Sequence, residues 1–163
     1  MKFKSALIIF LLVAFCGSAE TVEPVIETTT TTTINPNQDC IDWYWETIDG
    51  VDSYQSALTQ LNETWVEYSN LRISDSEMSV NLLNYVTLVS SAQVNQERLT
   101  PNPTNEVVHS QIIGIYENLY NGLIALNKFT NLKTEKLFNE GWDLVQKATN
   151  DMTVALSIMD SSC

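Results

Sequence analysis

Four runs of apolar residues keep a register of threes and fours, and this pattern limits the fold more than any other feature. In the first run Val51, Tyr54, Leu58, Leu61, Trp65 and Tyr68 step by 3, 4, 3, 4 and 3. That spacing lays one stripe along one side of an α-helix. The second run is Met78, Leu82, Tyr85, Val89 and Ala92. The third is Val108, Ile112, Ile115, Leu119 and Leu123, with Leu126 near its end. The fourth is Phe138, Val145, Ala148, Met152, Ala155 and Met159, widened by Trp142 and Leu156. No alternation of period two runs long enough for a strand. Four amphipathic helices with short connections predict an all-α domain over residues 39–163, an antiparallel up-down-up-down four-helix bundle.

The breaks between stripes carry their own chemistry. In "NLRISDSEM" Ser74 and Glu77 have the spacing of a capping box, and Ile73 and Met78 that of a hydrophobic staple. "TPNPTN" marks a loop, because Pro101 and Pro103 lack amide donors and restrict the residues before them. The third helix is expected to start at Pro103 or just after it. "NKFTNLKTEK" holds the next turn, with Thr130 or Thr134 as caps. Gly50, Gly114, Gly122 and Gly141 fall inside the helical patterns, where glycine costs about 1 kcal/mol relative to alanine.

Ahead of the domain, "MKFKSALIIFLLVAFCGSA" has two lysines, an apolar run from Ala6 to Phe15 and then small residues. This is the layout of an export signal, and the run is too short for the ~20 residues that cross a bilayer. "TVEPVIETTTTTTINPNQ" follows, with six consecutive threonines and no apolar period. It reads as a disordered tether over residues 20–38. Cys16 has two credible fates. "VAFC" is similar at Val13 and Ala14 to the lipid-attachment box of bacterial secreted lipoproteins, with Phe15 where that family has Gly, Ala or Ser. "CGSAE" and the threonine tract resemble the tethers of actinobacterial-type lipoproteins. This resemblance covers the signal and tether only. It implies a signal of residues 1–15, a lipid on Cys16 and a place in the cell envelope. The alternative is cleavage after Ala19, where Gly17 and Ala19 give a small-x-small site. The signal is then residues 1–19 and the product is secreted and soluble.

Under either fate Cys40 and Cys163 remain. In an up-down-up-down bundle the start of the first helix and the end of the fourth lie at one end. A Cys40–Cys163 disulfide is therefore expected, consistent with export to an oxidising compartment. Chain-entropy arithmetic gives such a long loop at most about 5 kcal/mol.

Charge narrows the partners. Only Lys2 and Lys4 precede the tether, so six basic and twenty acidic residues remain, a net of −14. Such a chain is repelled by nucleic acid and by anionic lipid. No nucleic-acid partner is expected.

Catalytic and cofactor patterns are sparse. "EVVH", Glu106 to His109, has the Glu-x-x-His spacing of di-iron bundles. The full site needs a second such unit, and His109 is the only histidine. A haem or copper held by His109 with Met78, Met152 or Met159 lacks any attachment motif, and methionines at helical spacing ordinarily fill a core. No nucleophile elbow, phosphate loop or calcium loop is present. Carboxylate pairs such as Asp39 with Asp42 and Asp49 with Asp52 read as solvated helix surface. "NET" at Asn62 is an N-glycosylation acceptor only in a eukaryotic secretory route. In "CIDWYWETIDG" Trp43, Tyr44 and Trp45 form the densest aromatic cluster. They suit a binding surface, or Tyr44 or Trp45 closes the end of the core.

These readings predict a non-enzymatic, extracytoplasmic helical bundle without a cofactor, membrane-anchored if Cys16 is lipidated. Its partner would be an envelope protein or a small ligand. The alternative is a metal- or haem-binding bundle centred on His109 with Glu106.

Overall fold

In the computed structural model residues 36–161 are described. Cys16, the signal segment, the threonine tract and Cys163 lie outside them. Four helices fill the described chain: α1 (Pro36–Ser69), α2 (Asp75–Arg98), α3 (Glu106–Leu132) and α4 (Glu135–Asp160). α1 begins three residues inside the stretch assigned to the tether. Proline is tolerated there because the first helical amides have no intrahelical acceptor. Consecutive helices pack against one another, giving the predicted all-α four-helix bundle.

All five apolar residues of the α2 stripe and all six of α3 are buried. In α1 Val51, Tyr54 and Leu61 are buried, and Leu58, Trp65 and Tyr68 pack against the core from its edge. In α4 Val145, Ala148, Met152, Ala155 and Met159 are buried, while Phe138, Trp142 and Leu156 are half-buried. Burial of about 25 cal/mol per Å² of apolar surface is the main term favouring this arrangement.

The caps follow the sequence in part. At α2 the Glu77 amide donates to Ser74 Oγ (3.2 Å) and the Ser74 amide donates to Glu77 Oε2 (2.8 Å). This is the predicted capping box, and its bonds hold the Glu77 carboxyl below the usual range. Thr134 occupies the N-cap of α4 but makes no side-chain capping bond. Thr130 is not a cap: it lies within α3, and its hydroxyl donates to the Asn127 carbonyl (2.7 Å). α3 starts at Glu106, three residues later than Pro103, behind a turn that buries Asn105.

Two contacts close the bundle. Gly122 of α3 and Gly141 of α4 abut: a Cβ on Gly122 would lie 2.9 Å from the Gly141 carbonyl oxygen. A Cβ on Gly141 would lie 2.6 Å from Leu126 Cγ and 3.1 Å from the Gly122 carbonyl oxygen. Both glycines are needed for the helices to approach this closely, which outweighs their helix-propensity cost. α1 meets α4 through large rings, with Trp65 edge-on to Trp142 (5.1 Å) and tilted against Phe138 (5.8 Å). At the same end Lys133 bonds both the Tyr68 hydroxyl and Asp75, and the Tyr68 hydroxyl donates to Asp75 Oδ1 (2.6 Å).

Gly141→Ala is expected to overpack this seam, because Leu126 Cγ is near the root of its side chain and has little freedom to withdraw. The expected loss is about 1–3 kcal/mol in urea unfolding. Gly114→Ala, where an added Cβ meets nothing within 4 Å, is expected to be neutral or stabilising.

Candidate functional site

At the end of the bundle holding the start of α1, four polar or amphipathic side chains meet in the interior. Trp43 and Thr47, one helical turn apart on α1, both face inward and are almost fully buried. Gln96 extends the buried stripe of α2 by one further turn. His109 lies beside Val108 in the first turns of α3 and is 8% exposed. The Trp43 indole N–H donates to His109 Nδ1 (3.3 Å). The Gln96 amide nitrogen donates to the same Nδ1 (3.0 Å) and to Thr47 Oγ1 (3.2 Å).

This geometry assigns the imidazole. An indole nitrogen can only donate, so Nδ1 must present its lone pair and the proton resides on Nε2. Burial pushes the His109 pKa down, and protonating Nδ1 would set a hydrogen against two others. His109 is therefore held as a neutral acceptor within the core.

Beneath this layer Tyr54 and Tyr116 pack edge to face, with ring centroids 5.9 Å apart. Burial raises both phenol pKa values well above the ordinary range. The Tyr116 hydroxyl lies where a Cβ on Gly50 would fall, 2.9 Å away, so glycine there leaves room for it. Above the layer, the Asn105 side-chain amide donates to Cys40 Sγ (3.1 Å), and Cys40 is buried.

The predicted site residues separate accordingly. Trp43 is removed from the expected binding surface: it is 2% exposed and belongs to the interior. Trp45 is 62% exposed, so it does not close the core. Tyr44 is half-buried, and its hydroxyl donates to Asp160 Oδ1 (2.8 Å), which raises its pKa. Ile41, Tyr44, Trp45 and Asp160 line a shallow cleft of about 290 Å³. The Tyr44–Asp160 bond brings the last residue of α4 to the first turns of α1. Glu106 is exposed while His109 is buried, so one faces solvent and the other the core. Among the described residues no group of three or more His, Cys, Asp or Glu could hold a metal ion. Met78, Met152 and Met159 are packed in the hydrophobic core.

Thr47 and Gln96 were not legible as a buried pair. The only sequence signal was their place in the apolar register, Thr47 four residues before Val51 and Gln96 four after Ala92.

No known protein family matches this chain, and neither a curated protein nor a solved structure does.

His109 sets a pH window for stability. Its pKa is lower in the folded than in the unfolded chain, where it is near the ordinary 6.5. The unfolded chain therefore binds the proton more readily, so stability is full above this value and falls as pH drops below it. As His109 is the only histidine, its NMR titration is expected to have a midpoint below 6.5. Urea-unfolding stability is expected to decline as pH falls below about 6.5, and His109→Gln to flatten that decline. Gln96→Ala is expected to cost about 1–3 kcal/mol, because it strips donors from a buried hydroxyl and a buried imidazole.

Proposed function

We propose that this protein is a non-enzymatic interaction module that acts outside the cytoplasm and binds a protein partner. The export-type signal supports the compartment. The threonine tract after Cys16 supports a tether, and lipidation at Cys16 would fix the domain to a membrane. No described helix is long and apolar enough to cross one. The non-enzymatic reading rests on the one histidine: its Nδ1 accepts from Trp43 and from Gln96 Nε2, which also donates to Thr47, so that lone pair is engaged within the core.

The observation that carries the reading is Trp45, 62% exposed on α1 beside exposed Ile41 and half-buried Tyr44. A tryptophan on a surface supplies rigid contact area at low entropic cost and is the residue type most enriched at binding hot spots. The cleft beside it is shallow and suits a protruding side chain better than an enclosed small molecule. α1 carries acidic residues around it, including exposed Asp39, Asp42, Glu46 and Asp49, and no lysine or arginine. A partner with positive charge at its rim would be steered to it.

A photo-reactive residue in place of Trp45 is expected to give a discrete crosslinked adduct in intact cells. The same residue in place of Gln55, exposed further along α1, is expected to give none. Equal yields at both positions would refute the surface. For the anchor, intact mass of membrane-extracted protein is expected to show a diacylglyceryl group on a chain starting at Cys16; an unmodified chain starting at Glu20 would refute it. The proximity of Tyr44 and Asp160 supports a Cys40–Cys163 disulfide, three residues beyond the end of α4. Non-reducing peptide mapping is expected to recover that pair, and two free thiols would refute it.

A further inference from the structure

The outward face of α2 is unusual. Its buried stripe is Met78, Leu82, Tyr85, Val89, Ala92 and Gln96. On the opposite side, at about 100° per residue, lie Val80, Leu83, Thr87 and Val94. This side of a bundle helix ordinarily carries charge. Here Val80 is 56% exposed, Leu83 46% and Val94 40%, and Thr87 is exposed. From Met78 to Gln96 there is no charged residue, the longest such stretch among the described residues. It extends about 28 Å along the helix. Val80, Leu83 and Thr87 step by 3 and 4 and Val94 follows seven residues later, the spacing of a coiled-coil seam, with half-exposed Ser90 and exposed Ser91 flanking its line.

The stripe is also nearly symmetric about Thr87. Val80 and Val94 lie seven residues to either side. Leu83 lies four before it and Ser91 four after. Ser76 and Arg98 lie eleven to either side. An antiparallel pair of α2 helices with a two-fold axis at Thr87 would set Val80 against Val94 of a second copy. It would set bulky Leu83 against small Ser91. It would also bring exposed Arg98 to the end of the other α2 that carries Asp75 and Glu77. A two-fold contact requires a patch complementary to itself, and this one meets that requirement.

Charge selects the occupant. The chain from residue 20 onward has a net of −14, and α1 has seven acidic residues and no basic one. Two such molecules repel one another through most of their surface. Between Met78 and Gln96 the outer face of α2 is where two copies can meet without a carboxylate in the seam; Glu77 and Glu97 come level with each other only at its ends, beside Arg98. We propose that the protein self-associates as an antiparallel two-fold dimer through Val80, Leu83, Thr87, Ser91 and Val94. This surface is separate from the Trp45 patch, and its dimer does not depend on that patch binding anything. One helix pair covers less than the ~800 Å² per partner of a standard interface, so the dimer is a weak one.

Sedimentation velocity of the protein as the expressing cell processes it, in non-ionic detergent where a lipid is retained, tests this. A monomer–dimer equilibrium is expected that strengthens with added salt, because salt screens the acidic repulsion. Thr87→Lys, which sets two ammonium groups against each other at the axis, is expected to weaken it at least tenfold. Thr87→Leu is expected to strengthen it severalfold. Thr87 is exposed, so far-UV circular dichroism should match wild type in both variants. Thr87→Cys under mild oxidation is expected to give a dimer joined from residue 87 to residue 87. A monomer up to millimolar concentration would overturn the proposal, as would a dimer indifferent to both Thr87 substitutions. Binding of the monomer to phosphatidylcholine vesicles that Thr87→Lys abolishes would overturn it in favour of a lipid. Crosslinks from position 87 into residues 20–35 of the same chain would overturn it in favour of that segment.

Discussion

The hydrogen bond from the Trp43 indole to His109 orients the N-terminal end of this bundle. Nδ1 of a neutral imidazole receives donors from α1 and α2 while its ring is carried by α3. Three helices are thereby fixed in rotation and in height by one acceptor atom. Each member would be costly to bury alone, since an unmet buried polar group costs about 1–3 kcal/mol. Together they constrain one register in a core that is otherwise non-directional. The same bond sorts the aromatic cluster. With Trp43 turned inward, Trp45 is rotated by about 200° at 100° per residue and faces solvent. The exposed surface that carries the functional reading is thus a consequence of an interior bond.

The far end is held differently. There the helices rely on shape: Gly122 and Gly141 let α3 and α4 meet backbone to backbone. Trp65, Phe129, Phe138 and Trp142 fill the wider space between α1 and α4. A buried polar layer at one end and close packing in the interior of the other, with the Lys133–Tyr68–Asp75 bonds at its surface, divide the tasks of specifying the register and excluding water.

Outside, the molecule divides by charge. α1 is acidic throughout and offers one aromatic patch near its start, whereas α2 turns an uncharged aliphatic face to solvent. An acidic surface alone is adequately explained by solubility. Apolar residues directly opposite a buried stripe are not, because neither folding nor solubility benefits from them. These two surfaces are where contact with other molecules is proposed, one with a different protein and one with a second copy. In both cases the surrounding acidity limits which partners approach closely.

The four helices and their inward faces were legible because water imposes the 3.6-residue period directly on the sequence. Met78 to Ala92 and Val108 to Leu126 needed no partner to be read, and the Ser74–Glu77 box is a local bond written in four residues. Thr130, Trp43 and Gln96 were not legible in this way. Whether a threonine caps a helix depends on where the preceding helix stops, and α3 continues past Thr130 to Leu132. Whether a tryptophan or a glutamine is buried depends on groups that other helices bring to it, Thr47 and His109 for Gln96. By itself, then, the sequence determined the number of helices, their buried faces, the acidity and the absence of a paired Glu-x-x-His site. Only the tertiary structure decided which aromatic faces inward, which tautomer His109 adopts and that the uncharged face of α2 is left exposed. The physical reason is that periodicity is a property of one segment, whereas hydrogen-bond satisfaction belongs to a pair of distant segments.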